Sequence, residues 1–304
     1  MTHPAERVVH PASVILCSRG RPAMLRETVA SILGGGSLPA ELIVVDQSAE
    51  PDAGLAETAA GAGCALRYLH SRSTGLSRAN NEGVAAARHD VLVFTHDDIL
   101  VAPDWLDRLL AALGREGGRA VVTGRVLAAD ETPGGFAPAL KTDPRPARYE
   151  GRVGYDVLKP MNMAMPRAAL AEVGGFDERL GPGTPFPGAE DSDLGFRLLE
   201  AGWRIVYAPE AVLWHRAWRP AADFLPLRWA YGTAQGAFYA KHLRLRDPHM
   251  LVRFTKDLAR RVRRFPLRLV REGREALADP VFIAGNLAGA ARWTMHRTLR
   301  RRSP

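Results

Sequence analysis

Four short apolar runs alternate with segments of helical spacing in the first hundred residues, and this alternation restricts the fold more than any other feature. The runs are Ser13 to Cys17, Glu41 to Val45, Leu66 to Leu69 and Val91 to Thr95. Between them, Leu25, Thr28, Val29 and Ile32 recur at helical intervals after Pro22. A shorter helix is expected over Ala53 to Ala60, and an Ala-rich one after Gly75 that stops near His89. Strands that are apolar throughout, rather than alternately, are buried on both faces. Separated by helices, they predict a mostly parallel α/β sheet covered on both sides. A helix from Pro103 and strands over Ala120 to Ala128, Arg204 to Tyr207 and Val212 to His215 continue the pattern.

The chemistry gathers where these runs end. The fourth strand leads into His96-Asp97-Asp98, and the second into Asp46-Gln47-Ser48. An ionised carboxylate is costly to bury unless it is paired or bound to a cation. The carboxyl ends of strands are also where open α/β sheets place ligands. Asp97 and Asp98 are therefore candidate ligands for Mg2+ or Mn2+, which take carboxylate oxygens together with substrate phosphates; a helix cap or solvated turn is the other reading. Asp46 divides the same way between a ligand contact and a turn. Gly181 to Ala189, with three prolines and three glycines, reads as a mobile flap opening onto Glu190-Asp191-Ser192-Asp193. Acids in a first helical turn suit the helix dipole, but they also suit a base awaiting substrate. His215, beside Trp214, is either a packed histidine or a ligand. Asp130 to Pro160 is too long for a plain connection and is expected to be a functional loop. The Met161, Met163, Met165 cluster reads as core.

The charge of +8 is not spread evenly. Lys241 to Arg302 holds 17 Lys/Arg against 5 Asp/Glu, a local +12, which leaves −4 on the rest. No aromatic stacking platform accompanies the arginines, so nucleic acid is not an expected partner. In this tail, Leu251, Phe254, Leu258 and Val262 form a helical stripe that Pro266 is expected to break. Val281 to Met295 is apolar and bracketed by arginines, which suggests contact with an anionic membrane surface, with a helical cap over the sheet as the alternative. No apolar run approaches the ~18 residues of a membrane span. The polar start lacks a signal-peptide core, so the expected location is cytoplasmic, or peripheral on the inner face of the cell membrane. Two cysteines, Cys17 and Cys64, make structural zinc and a disulfide framework poor readings.

Taken in order, five blocks resemble the family 2 glycosyltransferases over about residues 12 to 216. They are Ser18-Arg19-Gly20-Arg21-Pro22, Val44-Val45-Asp46-Gln47-Ser48, Asn81-Glu82-Gly83, His96-Asp97-Asp98 and Gly188 to Leu194, with His215 after them. The resemblance implies a nucleotide-sugar-binding α/β domain of the A-type glycosyltransferase fold over 12–219. A polar lead over 1–11 precedes it and a basic helical extension over 220–304 follows. It implies donor binding by Arg19, Asp46, Ser48, Asn81, His96 and Asp97, with Asp46 at the base. Asp98 is the implied metal ligand, His215 lies near metal and diphosphate, and Asp191 is the implied catalytic base with Glu190 assisting. His96 departs from the family's commoner Asp and shifts weight to Asp97 and Asp98. The Gln-x-x-Arg-Trp block of processive synthases is missing after His215, which implies addition of one or a few sugars. The implied activity is inverting, metal-dependent hexosyl transfer from a nucleotide-sugar donor to a glycan or lipid-linked acceptor. A nucleotidyltransferase and a catalytically inert scaffold are the rival readings. The former would need a Gly-rich basic loop after the first strand, where only Ser18 to Pro22 stands.

Overall fold

The computed structural model describes residues 7–61, 63–129 and 134–300. The first half of the polar lead, the opening of the Asp130 to Pro160 loop and Arg301-Arg302 lie outside the described residues. Strand β1 (Val8–Ser18) is followed by α1 (Pro22–Leu33), β2 (Ser37–Asp46), α2 (Leu55–Thr58), β3 (Ala65–His70), α3 (Leu76–Ala86) and β4 (Val91–His96). β1 pairs in parallel with β2 on one side and β4 on the other, bringing Ser18 level with Asp46 and Cys17 level with His96. The three predicted strand ends are thereby placed side by side.

Alternate residues of these strands feed two cores. Val14, Leu16, Leu42 and Val44 pack with Leu25 and Val29 of α1. Ile15, Cys17, Ile43 and Val45 pack on the other face, with Ala79 of α3. Each fully buried Ile, Leu or Val contributes roughly 1.5–3 kcal/mol, which is why an all-apolar strand demands cover on both sides. α3 lies so close to β1 that a Cβ at Gly83 would stand 2.5 Å from the Ile15 side chain.

The second half of the sheet is mixed. After Asp97 and Asp98 come β5 (Ile99–Val101), α4 (Trp105–Glu116), β6 (Ala120–Ala129), β7 (Gly135–Phe136), β8 (Ala147–Tyr149) and β9 (Met163–Pro166). Then follow α5 (Arg167–Val173), α6 (Glu190–Glu200), β10 (Arg204–Arg216) and β11 (Arg219–Pro220). The sheet runs β3-β2-β1-β4-β9-β6-β10-β5, with β8 on the flank of β10. β9 is antiparallel to both β4 and β6, and its buried Met163 and Met165 fill the core as expected. Two strands were expected over Arg204 to His215; the structure has one, β10, whose register on β6 shifts between Ala208 and Val212. Pro209 lies inside that irregularity, where a missing N–H breaks no ladder bond. β5 runs antiparallel to the end of β10, Ile99 opposite His215, and the Arg216 N–H donates to the Asp98 carbonyl at 2.9 Å. That pairing delivers His215 to Asp98.

The chain ends in α7 (Phe224–His242), α8 (His249–Glu272) and α9 (Ala278–Arg300). α8 continues through Pro266, contrary to the expected break; a proline removes one helical hydrogen bond without obliging the chain to stop. Val281 to Met295 is not free to meet a membrane along its small-residue face, because α9 is pressed against α7. A Cβ at Gly236 would stand 1.9 Å from the Asn286 carbonyl, and one at Gly289 1.9 Å from that of Thr233. The Ala/Gly-rich composition serves backbone contact between two helices. Buried Asp193 ties this layer to the sheet, accepting from Arg197 at 2.8 Å and His242 at 2.7 Å and pairing with Lys241 at 2.5 Å. Among the described residues, no helix is long and apolar enough to cross a membrane.

Candidate active site

A cavity of about 520 Å³ opens at the carboxyl ends of β1, β2 and β4 and extends under α7 and α8. Ser18, Arg19, Gln47, His96, Asp97 and Asp98 line its sheet side. Asp97 is fully buried and is fixed by three groups. The Ser18 hydroxyl donates to it at 2.7 Å, and Arg21 contributes Nε at 3.1 Å and a second, closer guanidinium nitrogen. Arg21 also reaches Asp98 Oδ2 at 2.9 Å, where the Trp218 indole N–H donates at 3.0 Å. The guanidinium lies 5.0 Å from the Trp218 ring centre. Two carboxylates share one arginine, so the pair keeps a net negative charge toward the cavity.

Asp98 Oδ1 is buried without a hydrogen-bond partner and faces His215 Nε2 at 3.4 Å. The other ring nitrogen of His215, Nδ1, lies 2.7 Å from the Pro138 carbonyl. A carbonyl only accepts, so Nδ1 carries the proton and Nε2 turns a lone pair toward the carboxylate. At 3.4 Å the contact exceeds a normal N–H···O bond. Two lone pairs facing each other in a buried site call for a positive charge between them. Burial works to raise the Asp98 pKa, and the Arg21 guanidinium is among the groups that oppose it and hold the carboxyl below the usual carboxylate range. An imidazole nitrogen and a carboxylate oxygen suit Mn2+, while Mg2+ prefers oxygen alone. Among the described residues no set of three His, Cys, Asp or Glu is poised for a metal. A cation here would draw its remaining ligands from substrate phosphate and water. Burial keeps His96 neutral, pushing it down to about 4, and its Nε2 has no partner.

The acids of α6 line the opposite wall. Ala189, with φ of +62°, turns the chain so that Glu190 and Asp191 open the helix. The turn of the Gly181 to Ala189 segment is tied down, since Ser77 Oγ donates to the Leu180 carbonyl at 2.7 Å and Leu76 N–H to Pro182 at 3.0 Å. Glu190 is buried with Oε2 unpartnered; burial, and then the charge of Asp191, push it up to about 8. Asp191 is half-buried, and Oδ1 accepts from the Ser192 N–H at 2.7 Å. Burial raises its pKa too, with Lys159 opposing and Asp156 reinforcing. Glu190 therefore holds a proton near neutrality, and Asp191 is the less buried of the two carboxyls.

The structure does not bring every expected residue to this wall. Arg19, His96, Asp97, Asp98, Glu190, Asp191 and His215 line the cavity; Asp46, Ser48 and Asn81 do not. The Asp46 carboxylate is spent on the Ser48 N–H at 2.9 Å and the Tyr68 hydroxyl at 2.7 Å, and it shapes the turn that exposes Gln47. Asn81 clamps the Phe176 backbone, donating to its carbonyl and accepting from its N–H, both at 3.0 Å. Sequence reasoning missed Arg21, Trp218, Lys159 and Tyr231. Only Arg21 carried a signal, as a cation one residue before the Pro that opens α1.

The glycosyl transferase family 2 profile matches residues 13–168, just over half of the chain. The pre-mycofactocin glycosyltransferase of Mycobacterium tuberculosis is 29% identical over 240 residues, covering 76% of this chain and 48% of that protein. The N-acetylglucosaminyl-diphospho-decaprenol L-rhamnosyltransferase of the same species is 40% identical over 133 residues, 36% of this chain and 38% of the relative. The chain thus spans about half the length, or less, of these curated relatives. Among solved structures, a mannosyltransferase from Pyrobaculum calidifontis in complex with GDP-Man and Mn2+ superposes with a TM-score of 0.60 at 16% identity, covering 93% of this chain and 88% of that one. GalNAc-T7 with UDP, GalNAc and Mn2+ gives 0.55 at 18% identity, covering 84% and 55%. At these identities the likeness is one of fold, the A-type glycosyltransferase sheet. With the profile match over β1 to β9, the chain belongs to glycosyl transferase family 2.

Proposed function

We propose that the chain transfers a hexose, with inversion, from a nucleoside-diphosphate sugar to an acceptor hydroxyl, assisted by Mn2+ or Mg2+. The observation that supports this is the single cavity lined at one side by the Asp98–His215 pair and at the other by Asp191. Asp98 Oδ1 and His215 Nε2 would hold the ion, which when bound neutralises charge on the leaving diphosphate. Arg21 keeps the second carboxylate oxygen of Asp98 occupied and so fixes the direction of the free one. Arg19 and Gln47 line the donor end. Asp191 takes the proton from the acceptor hydroxyl. The acceptor oxygen bonds to the anomeric carbon, and the bond from that carbon to the phosphate oxygen breaks with its electron pair on the nucleoside diphosphate. One displacement inverts the centre.

By their names one relative is a pre-mycofactocin glycosyltransferase and another a rhamnosyltransferase for a diphospho-decaprenol-linked sugar, and a glycan or lipid-linked acceptor is the reading carried here. A membrane-proximal setting rests on α8 rather than α9. Leu251, Val262 and Leu269 lie on one stripe of α8 and are 49%, 61% and 46% exposed, while exposed Lys256, Arg260 and Arg263 supply positive charge. Sedimentation with vesicles of anionic lipid, compared with neutral ones, tests that contact; equal recovery with both removes it.

The test of the activity is a panel of UDP-, GDP- and dTDP-sugars, each with Mn2+ and with EDTA, read by thermal shift and nucleoside diphosphate release. Metal-dependent stabilisation by one nucleotide and inversion at the transferred sugar are expected. Pyrophosphate release from a nucleoside triphosphate and a sugar phosphate would instead support a nucleotidyltransferase. No response to any nucleotide would support a scaffold.

A further inference from the structure

The arm of the cavity beneath α7 and α8 holds more positive charge than its own acids answer. Lys159, Arg219 and Arg228 line it and make no ion pair among the described residues. Arg219 stacks 4.4 Å over Trp218, the ring that bonds Asp98, and so belongs to the donor side. Arg228 is half-buried with the Phe224 ring 4.8 Å away as its companion. Burial, and the like charges of Arg261 and Arg268, work against its charge. Arg253 is only 4% exposed; one nitrogen of its fork bonds Asp156, and its Nε is buried with no partner. A buried N–H left without an acceptor costs roughly 1–3 kcal/mol, more when it belongs to a cation. A fold carrying that cost on a cavity wall is shaped for an acceptor that arrives from outside.

These cations share a chamber with the proposed base. The Tyr231 hydroxyl feels the charges of Glu190 and Asp191 and those of Arg219 and Arg228. Asp191 in turn feels Lys159 and Asp156, the partner of Arg253. Lys159 and Arg228 thus stand against a single available carboxylate, and the Nε of Arg253 adds an unfilled donor. A carboxylate ligand would bring one negative charge, whereas a phosphate monoester brings close to two and several acceptor oxygens.

We propose that this arm is an acceptor subsite for a phosphate- or diphosphate-bearing molecule, held by Arg228 and the Nε of Arg253, with Lys159 beside Asp191. Its role as the acceptor end rests on the transferase reading above; the binding of a phosphorylated molecule does not.

The experiment is calorimetric titration of the full chain, in EDTA, with dodecyl phosphate, inorganic pyrophosphate and neutral dodecyl maltoside. Binding of a phosphate probe is expected, weakened tenfold or more in Arg228→Gln and in Arg253→Lys, which keeps the charge beside Asp156 but lacks Nε. Arg228→Lys should recover part of the affinity. Preference for dodecyl phosphate over pyrophosphate assigns a lipid-linked acceptor; equal binding assigns a soluble phosphorylated one. The proposal is overturned if folded wild-type protein binds neither phosphate, if maltoside binds as well as dodecyl phosphate, or if both variants bind like wild type at unchanged Tm. Phosphate binding in a chain that turns over no nucleotide-sugar would sink the transferase reading and leave this site standing.

Discussion

His215 and Asp98 face each other 3.4 Å apart, an imidazole lone pair against a carboxylate oxygen that has no hydrogen-bond partner. The Pro138 carbonyl fixes the tautomer from behind. Arg21 and Trp218 pin the other carboxylate oxygen. Because both atoms are pre-aimed, removing either is expected, on the proposed metal role, to act on cation affinity before it acts on the fold.

For the metal, Asp98→Ala is expected to abolish Mn2+-dependent stabilisation by the donor nucleotide. His215→Ala should weaken it by at least about tenfold. At ligand near 100 times Kd, wild type gains roughly 2.7 kcal/mol, enough to resolve in a thermal melt with and without EDTA. Equal donor shifts in Asp98→Ala with and without metal would refute the ligand assignment.

The two acids of α6 should separate in kinetics. Asp191→Asn is expected to lower kcat by about 10²- to 10⁴-fold, the usual range for a lost general base, while nucleotide binding persists. Glu190→Gln copies the protonated form that burial favours, so turnover should stay within about tenfold of wild type. The reverse order of severity would transfer the base role to Glu190.

The same pair predicts a pH dependence of stability. Glu190 sits at about 8 in the folded chain against an ordinary 4.5, so the native state binds the proton more tightly than the unfolded one. Its contribution is complete below pH 4.5 and is lost as pH rises through 8. His96, pushed down to about 4, works oppositely: its contribution is present above pH 6.5 and lost as pH falls through 4. Melting curves from pH 5 to 9 should show Glu190→Gln gaining on wild type toward the alkaline end. The limiting slope for one proton is about 1.4 kcal/mol per pH unit. Parallel Tm profiles for the two proteins would count against a buried, protonated Glu190.

Asn162 is expected to be a stability residue with no role in transfer. Its amide donates to the Arg125 and Ala211 carbonyls, both at 2.9 Å, and accepts from the Trp105 indole at 2.8 Å, all under the sheet. Asn162→Ala strands three polar groups, each worth roughly 1 kcal/mol or more when left unpaired. Urea unfolding should show a loss of about 3 kcal/mol, and donor affinity at a temperature where the variant is folded should be normal.

Much of the parallel half of the sheet was legible because burial on both faces leaves an unbroken apolar run, and because acids at strand ends are conspicuous. Asp97 and Asp98, which line the cavity, stand at such a strand end. The rest depended on contacts that no local pattern encodes. Arg21 meets Asp97 from 76 residues away and Trp218 meets Asp98 from 120. The insertion of β9 between β4 and β6 is invisible in a four-residue stretch that also reads as plain core. Asn81 and Asp46 sit in blocks that resemble donor-binding ones, yet their side chains are consumed by the local turns. The small residues of α9 suit a membrane surface or a helix neighbour equally well until α7 is seen against them.

The close seam between α7 and α9 has a consequence for the order in which the site is built. The proposed donor end is complete once β10 and β11 have been synthesised and paired, since Ser18, Arg21, Asp98, His215, Trp218 and Arg219 all lie within or before β11. The arm beneath α7 and α8 waits for α9, because Phe282 lines it and α7 has its backbone partner only then. As a chain folds from its amino end during synthesis, a nascent molecule would, on the proposed roles, pass through an interval with its donor end built but without the arm that would seat an acceptor. The last helix is in that sense the part that commits the enzyme to its substrate pair.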